Sequence, residues 1–109
     1  MSDLLAYTYA LVRKDISKEQ QLVQIAHAAW EAGSEFGAPA GETSRMIVLG
    51  VDNAEELAEA EEVLTRRGIQ FFTFVEPDDD MGKSSICTQA VTHPSDRNVF
   101  RQWPLFVAS

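Results

Sequence analysis

A line of polar side chains lies on the first helix that the sequence predicts: Gln20, Gln24, His27 and Glu31. Their spacing of four, three and four residues stacks them on one helix face, while most of the remaining helix surface is apolar. Imidazole titrates near neutral pH and can donate or accept hydrogen bonds, so His27 is a candidate general base or substrate-binding group on a cleft wall. A solvated helix face would show the same spacing, with His27 and Glu31 as a weak pair one turn apart.

A second set of candidate residues follows the third predicted strand. Glu76 comes directly after that strand and precedes Pro77, which restricts its backbone to an extended form, so its carboxylate is a candidate for the same cleft. Thr88, on the fourth predicted strand, is either its polar neighbour or an ordinary strand residue. The run Asp78–Asp80 lacks the spacing of a calcium loop, which favours a solvated turn over a metal site.

The other reactive residue types indicate no further chemistry. His93, in the segment THPSD, is expected to be a surface loop histidine. The single cysteine, Cys87, can form neither an internal disulfide nor a zinc site alone, and we assign it to strand packing. The sequence contains no glycine-rich phosphate loop, zinc-ligand pattern or serine nucleophile elbow. We therefore predict neither a metal nor a cofactor.

Composition and charge limit the partners. The chain has 109 residues, of which 45% are hydrophobic, which fits a single domain over residues 1–109. No apolar run of about 18 residues and no signal-peptide pattern are present, so we predict a cytoplasmic protein without a membrane partner. The formal net charge of -8 repels phosphate backbones and lowers the expectation of non-specific nucleic-acid binding.

Alternating strands and helices must position the candidate residues. Apolar runs predict strands at 4–13, 44–51, 69–75 and 86–91, and a surface loop at 34–43. Capping signals predict one helix from about Lys18 to Ala32, closed by Gly33, and another that begins after Asp52 or Asn53 and is finished by Arg66, Arg67 and Gly68. The order βαβαββ indicates an α/β fold, a four-stranded mixed sheet with helices packed on it. Apolar residues in the tail 94–109 should pack on the domain or on a partner subunit: Phe100, Trp103, Leu105 and Phe106.

This pattern resembles the type 2 peptidyl-tRNA hydrolase family over most of the chain, from about Tyr7 to Pro94. The likeness rests on the element order, the QxxHAA segment from Gln24 to Ala29, the acidic opening of the second helix and the carboxylate after strand three. The resemblance implies an α/β fold, frequent homodimers, and cleavage of the ester between a peptide and tRNA without a metal. It also implies that Gln24, His27, Glu76 and Thr88 occupy positions of the family's site, with Glu76 replacing an aspartate.

The chain departs from the family at its basic positions. A lysine of the family's first helix is Gln20 here, and a lysine of its second strand falls on Gly50. A segment of the type AGRTQIAPG is replaced by PDDDMGKSS, so an arginine position becomes Asp79. Lys18 or Lys83 could replace the missing lysines. These changes weaken attraction for a phosphate backbone near the site.

Two functions fit these observations. In the first, a peptidyl-tRNA hydrolase-like enzyme uses His27 and Glu76 to orient a water, while Gln20, Gln24 and Thr88 position the substrate. In the second, the same fold has lost its basic site and is a non-catalytic module that binds a small ligand or a protein. Hydrolysis of a different ester or amide is a third possibility.

Overall fold

A computed structural model describes residues 5–37 and 44–107, which form a four-stranded mixed sheet with helices packed on it. The strands are β1 (Tyr7–Arg13), β2 (Arg45–Val51), β3 (Phe71–Glu76) and β4 (Gly82–Thr88). The helices are α1 (Lys18–Phe36), α2 (Ala54–Arg66) and the short α3 (Pro94–Asn98), with 3₁₀ turns at Asp78–Asp80 and Val99–Gln102. The predicted α/β class and mixed sheet are confirmed. Most of the predicted loop at 34–43 lies outside the described residues.

The strand order is β2-β1-β4-β3. β1 and β2 are parallel, and β4 is antiparallel to both β1 and β3. β1, β2 and β3 therefore run in the same direction, and their carboxyl ends lie at one edge of the sheet. Ligand sites gather at such an edge in sheets with parallel strands.

The two faces of the sheet carry different cores. α1 covers one face through Ala28 and Ala32, which pack with Cys87 and with the half-buried Phe72 and Phe74. The other face carries the larger core, which α2 and the C-terminal segment complete: Tyr9, Leu11, Leu57, Leu64, Ile86, Phe100 and Trp103. Tyr9 and Leu11 of β1 belong to the larger core, and the intervening Ala10 and Val12 are fully buried as well, as expected for a strand that is covered on both sides.

Side-chain caps set the beginnings of both long helices. Ser17 Oγ accepts from the backbone N–H of Gln20 at 3.2 Å, the contact that the capping spacing predicts. Asn53, one of the two predicted caps, accepts from the N–H of Glu56 at 2.9 Å. Each side chain accepts from a backbone N–H that has no partner inside the helix.

The predicted end of α1 is wrong. The helix continues through Gly33 to Phe36. The Phe36 side chain packs against the α1-side core, the cluster formed by Ala28, Ala32 and Cys87. Gly37 then ends it with a φ of 72°, and the Gly37 N–H donates to the Gly33 carbonyl at 2.9 Å. A positive φ is where glycine has its advantage, so Gly37 is the true cap.

The predicted boundaries of the fourth strand are also wrong, because β4 begins at Gly82 and ends at Thr88. Its first two buried positions are small polar residues, Ser84 and Ser85. Ser85 Oγ donates to the Leu11 carbonyl at 2.8 Å, which satisfies the hydroxyl inside the sheet. A buried segment of this kind has no apolar run to identify it.

The C-terminal segment packs on its own domain. Phe100 and Trp103 are buried in the larger core. The chain then follows the open edge of β2, where the Gly50 N–H donates to the Pro104 carbonyl and the Phe106 N–H to the Val48 carbonyl, both at 2.9 Å. Leu105 itself is 69% exposed. Across the described ranges, no helix is long and apolar enough to cross a membrane.

Candidate functional site

The polar line of α1 is divided between the protein interior and the surface. Gln24 is fully buried, whereas His27 is exposed, and Gln20 and Glu31 are half-buried. Large apolar side chains are exposed instead: Leu22 is 61%, Val23 42% and Trp30 76% exposed. The four polar residues therefore do not form one continuous cleft wall or one solvated face, because the amide of Gln24 is buried against polar partners on the sheet.

Gln24 is the centre of this network. Its Nε2 donates to Glu76 Oε1 at 3.0 Å and to Gln20 Oε1 at 3.0 Å, and its Oε1 accepts from Ser84 Oγ. A carboxylate only accepts hydrogen bonds, so the contact with Glu76 determines which end of the amide faces β3. Both amide hydrogens of Gln24 are used, which makes it a residue that positions its neighbours rather than one that binds a substrate.

The two residues that Gln24 holds retain unused polar atoms. Glu76 is half-buried at the end of β3, and its Oε2 makes no hydrogen bond with a described residue. Gln20 accepts from Gln24 through Oε1, which turns its Nε2 and two N–H groups away from that contact. Gln20 and Glu76 thus offer a donor and an acceptor at the carboxyl edge of the sheet.

A β-bulge at Ser84 allows the third contact of Gln24. Phe74 pairs with Ser85 and Val75 with Lys83, so Ser84 has no partner on β3. The extra residue reverses the alternation of β4, and Ser84 faces α1 while Lys83 faces α2. Lys83 Nζ binds Glu61 Oε1 at 2.9 Å there. Lys83 lies across the sheet from His27, so the prediction that it replaces a lysine of the site is wrong.

His27 lies one helical turn beyond Gln24. Its ring stacks on Phe74 with a centroid distance of 4.4 Å and an interplanar angle of 6°. Phe74 and Glu76 project from the same face of β3, so the strand brings the imidazole and the Gln24 network onto one surface. Stacking covers a ring face and leaves the ring edge, with its two nitrogens, open. No described residue makes a hydrogen bond with either nitrogen.

A shallow depression of about 500 Å³ lies beside the imidazole. Its lining residues all belong to α1: Val23, Ala26, His27, Trp30 and Glu31. The depression is mostly apolar, and only His27 and Glu31 contribute polar groups. An apolar portion of a ligand that reacts at His27 would fit against Trp30.

Thr88 is not part of this cluster. It pairs with Phe71 at one end of the β3–β4 ladder, whereas Glu76 pairs with Gly82 at the other end. Its Oγ1 accepts from the Tyr9 N–H at 3.2 Å and donates to the Gln89 carbonyl at 2.8 Å. The expectation that Thr88 neighbours Glu76 is wrong because β4 begins earlier than predicted. The strand hydroxyl that joins the network is that of Ser84, which the sequence reasoning missed.

Ion pairs reduce the free positive charge at the carboxyl edge of the sheet, where β1 ends. Arg13 binds Asp15 at 2.8 Å, and this hydrogen bond lowers the pKa of the Asp15 carboxyl. Lys14 Nζ lies 3.5 Å from Asp52. The stem of Lys14 covers Gly50, since a Cβ added there would lie 2.9 Å from Lys14 Cδ.

The other candidate groups make no hydrogen bond to the described residues of this cluster. Lys18 is exposed at the start of α1, and Asp78–Asp80 form an exposed turn. His93 caps α3, where its Nδ1 lies 3.2 Å from the Ser95 amide nitrogen. Within residues 5–37 and 44–107, no group of three or more His, Cys, Asp or Glu side chains is placed to hold a metal ion.

Comparison with known proteins identifies the fold alone. No protein-family model matches the chain, and no curated protein is significantly similar to it. A solved structure of a protein of unknown function from Agrobacterium tumefaciens strain C58 is similar, with a TM-score of 0.68 and 14% identity. The match covers 98% of this chain and all of the other. The fold is therefore shared by another protein, and the function must be argued from the site.

Proposed function

We propose that this protein is a peptidyl-tRNA hydrolase-like enzyme that cleaves the ester between a peptide and tRNA. The observation that carries the proposal is that the buried Gln24 holds Gln20 and Glu76, while His27, one turn further along α1, stacks on Phe74 of the same face of β3. Apart from Phe74, these residues are positions at which the sequence resembles, or departs from, the type 2 family. Their proximity gives a base, an amide donor and a carboxylate on one surface.

The imidazole of His27 acts as the general base. One ring nitrogen accepts a proton from water as the water oxygen attacks the ester carbonyl, and the same nitrogen returns the proton to the departing ribose oxygen. Glu76 Oε2 accepts a hydrogen bond from that water and orients it. Gln20 Nε2 donates to the oxyanion that forms on the carbonyl, since the amide of Gln24 has no hydrogen left to give.

The decisive experiment measures peptide release from peptidyl-tRNA by the purified protein. Wild type should hydrolyse the ester above the uncatalysed rate, and His27→Ala should lose about 100-fold or more of that activity. His93→Asn is the matched control, because it alters the other histidine, keeps a capping acceptor and lies in the C-terminal segment. No turnover at micromolar enzyme, or equal activity in His27→Ala, would reject the proposal.

A second candidate is a non-catalytic module that binds a small ligand or a protein. The chain's net charge of -8, together with the pairing of Arg13 and Lys14 to carboxylates, favours it. A mobility-shift titration with tRNA at low salt separates the two candidates, because a hydrolase of tRNA esters must bind the tRNA there. A panel of small esters and amides tests the remaining alternative, a hydrolase with a different substrate.

The proposal also includes location and assembly. An enzyme that recycles tRNA belongs in the cytoplasm. The resemblance to the type 2 family supports a homodimer, and exposed apolar side chains near the open edge of β2 support it further, with Met46 50% and Val107 76% exposed.

A further inference from the structure

A separate cavity of about 370 Å³ lies on the face of the sheet opposite His27. β1 and β2 form its floor, and α3 with the following 3₁₀ turn forms its wall. The buried residues in its lining are apolar or aromatic: Tyr9, Leu49, Phe100 and Trp103. The rings of Tyr9 and Phe100 stack at 3.8 Å and are nearly parallel, with an angle of 2°. The volume lies in the range of small-molecule sites.

Arginines supply the charge of this cavity. Two of the chain's nine basic residues line it, and none of its 17 acidic residues does so among the described residues. The guanidinium group of Arg97 makes a cation–π contact with Tyr7, its carbon lying 3.7 Å from the ring centroid. Its Nε donates a long hydrogen bond of 3.4 Å to the Tyr9 hydroxyl. Its terminal nitrogens make no hydrogen bond with a described residue.

The second arginine completes the cationic rim. Arg101 is exposed and makes no hydrogen bond or ion pair with a described residue. Asp96, the acidic residue nearest in sequence to both arginines, lies 3.8 Å from Arg67 and does not line the cavity. In a protein with a net charge of -8, this rim is a local reversal of sign. Guanidinium groups bind planar anions through two parallel hydrogen bonds.

We infer that this cavity binds a small aromatic anion, with its ring against Leu49 and Trp103 and its charged group on Arg97 and Arg101. The apolar floor favours a flat body, and the arginine rim favours a carboxylate or sulfonate at its end. The inference is independent of ester hydrolysis, since the cavity and His27 lie on opposite faces of the sheet.

The probe is 8-anilinonaphthalene-1-sulfonate, and its uncharged analogue N-phenyl-1-naphthylamine is the matched control ligand. All proteins carry Trp30→Phe, which makes Trp103 the only tryptophan and alters the exposed apolar surface of α1 where dye could also bind. Binding is followed by dye fluorescence and by energy transfer from Trp103. Arg101→Gln tests the rim, and Arg66→Gln, at the exposed end of α2, is the control arginine.

The sulfonate should bind saturably and quench Trp103. Arg101→Gln should weaken its binding about tenfold and leave the uncharged analogue unchanged, because only the charged hydrogen bond is lost. Arg66→Gln should change neither ligand. The inference is overturned by dye binding without quenching of Trp103, by the absence of saturable binding, or by equal losses in both arginine variants. Arg101 is exposed, so circular dichroism should show an unchanged fold.

Discussion

Gln24 places a neutral amide where the α1-side core meets the carboxyl edge of the sheet. It is fully buried, and every polar atom of its side chain has a partner on Gln20, Glu76 or Ser84. The residue therefore links stability to the geometry of the proposed site. A buried group with several satisfied hydrogen bonds is costly to remove, because its partners lose their bonds without regaining water.

The substitution Gln24→Leu tests this dependence. Its volume is similar, but Glu76 Oε1 and Ser84 Oγ each lose a hydrogen bond to the amide. We expect a loss of about 2–4 kcal/mol in the free energy of unfolding, measured by urea denaturation. Gln20→Leu is the comparison, since it removes only one of the three hydrogen bonds of Gln24 and should cost about 1–2 kcal/mol, less than Gln24→Leu. Equal losses would show that Gln24 is not the centre of the network.

Cys87 provides a pH-dependent test of the α1-side core. Burial raises the pKa of its thiol to about 11. The unfolded thiol ionises near its ordinary value, so between roughly pH 9 and pH 11 the unfolded state loses the proton first and the folded state is destabilised. The stability difference between wild type and Cys87→Ala should therefore shrink as pH rises, by roughly 2 kcal/mol at pH 11. A constant difference across that range would contradict the buried, protonated thiol.

The elements were predictable where the signal is local. Apolar runs and capping residues in the sequence identify β1, β2 and α2 with nearly correct ends. β4 was misplaced because Ser84 and Ser85 are buried by contacts with residues far away in the chain, Gln24 and Leu11. The bulge that turns Ser84 toward α1 has no local signature, and the early start of β4 leaves Thr88 at the other end of the sheet.

The site was predictable to the same degree. Helical spacing placed Gln20, Gln24 and His27 on one face, but spacing alone could not show which of them is buried. The hydrogen bond between Gln24 and Glu76 joins residues that are 52 positions apart in the sequence. Only the resemblance and the strand end favoured that pairing, and the stacking of His27 on Phe74 had no sequence signal.

The glycines of α1 allow a matched test of its corrected end. Gly33 is helical and exposed, and an added Cβ would meet nothing within 4 Å, so Gly33→Ala should stabilise the protein by about 0.5–1 kcal/mol. Gly37 also has open space, but its φ is 72°, so Gly37→Ala should cost about 1 kcal/mol. Thermal and urea unfolding measure both. A loss of stability in Gly33→Ala would contradict the corrected end of the helix.

At the scale of the whole molecule, we expect the proposed homodimer to form beside β2 and the C-terminal segment that pairs with it. Leu105 and Val107 of the C-terminal segment are 69% and 76% exposed beside β2, whose Met46 is 50% exposed. Exposed apolar side chains of this size are typical of contact surfaces between subunits. We expect a homodimer in sedimentation, and Val107→Lys with Met46→Lys should convert it to a monomer. A wild-type monomer at micromolar concentration would contradict the prediction.

The distribution of charge gives the sharpest test of the tRNA proposal. The chain carries 17 acidic and nine basic residues, and Gln20 stands where the resembled family has a lysine. Gln20→Lys places a cation at the carboxyl edge, one turn before Gln24, within the proposed tRNA surface. Binding to tRNA should tighten, and the slope of log affinity against log salt should steepen by about one, as expected for one additional phosphate contact.

The position of the new lysine must matter for this prediction to hold. Gln70→Lys is the control, because this substitution adds the same net charge. Gln70 is exposed just before β3, at the end of the strand away from Glu76. A general gain from reduced repulsion would raise the affinity of both variants equally and leave the two salt slopes alike. A gain confined to Gln20→Lys would locate the phosphate backbone beside His27, whereas equal slopes would remove the electrostatic support for tRNA as the substrate.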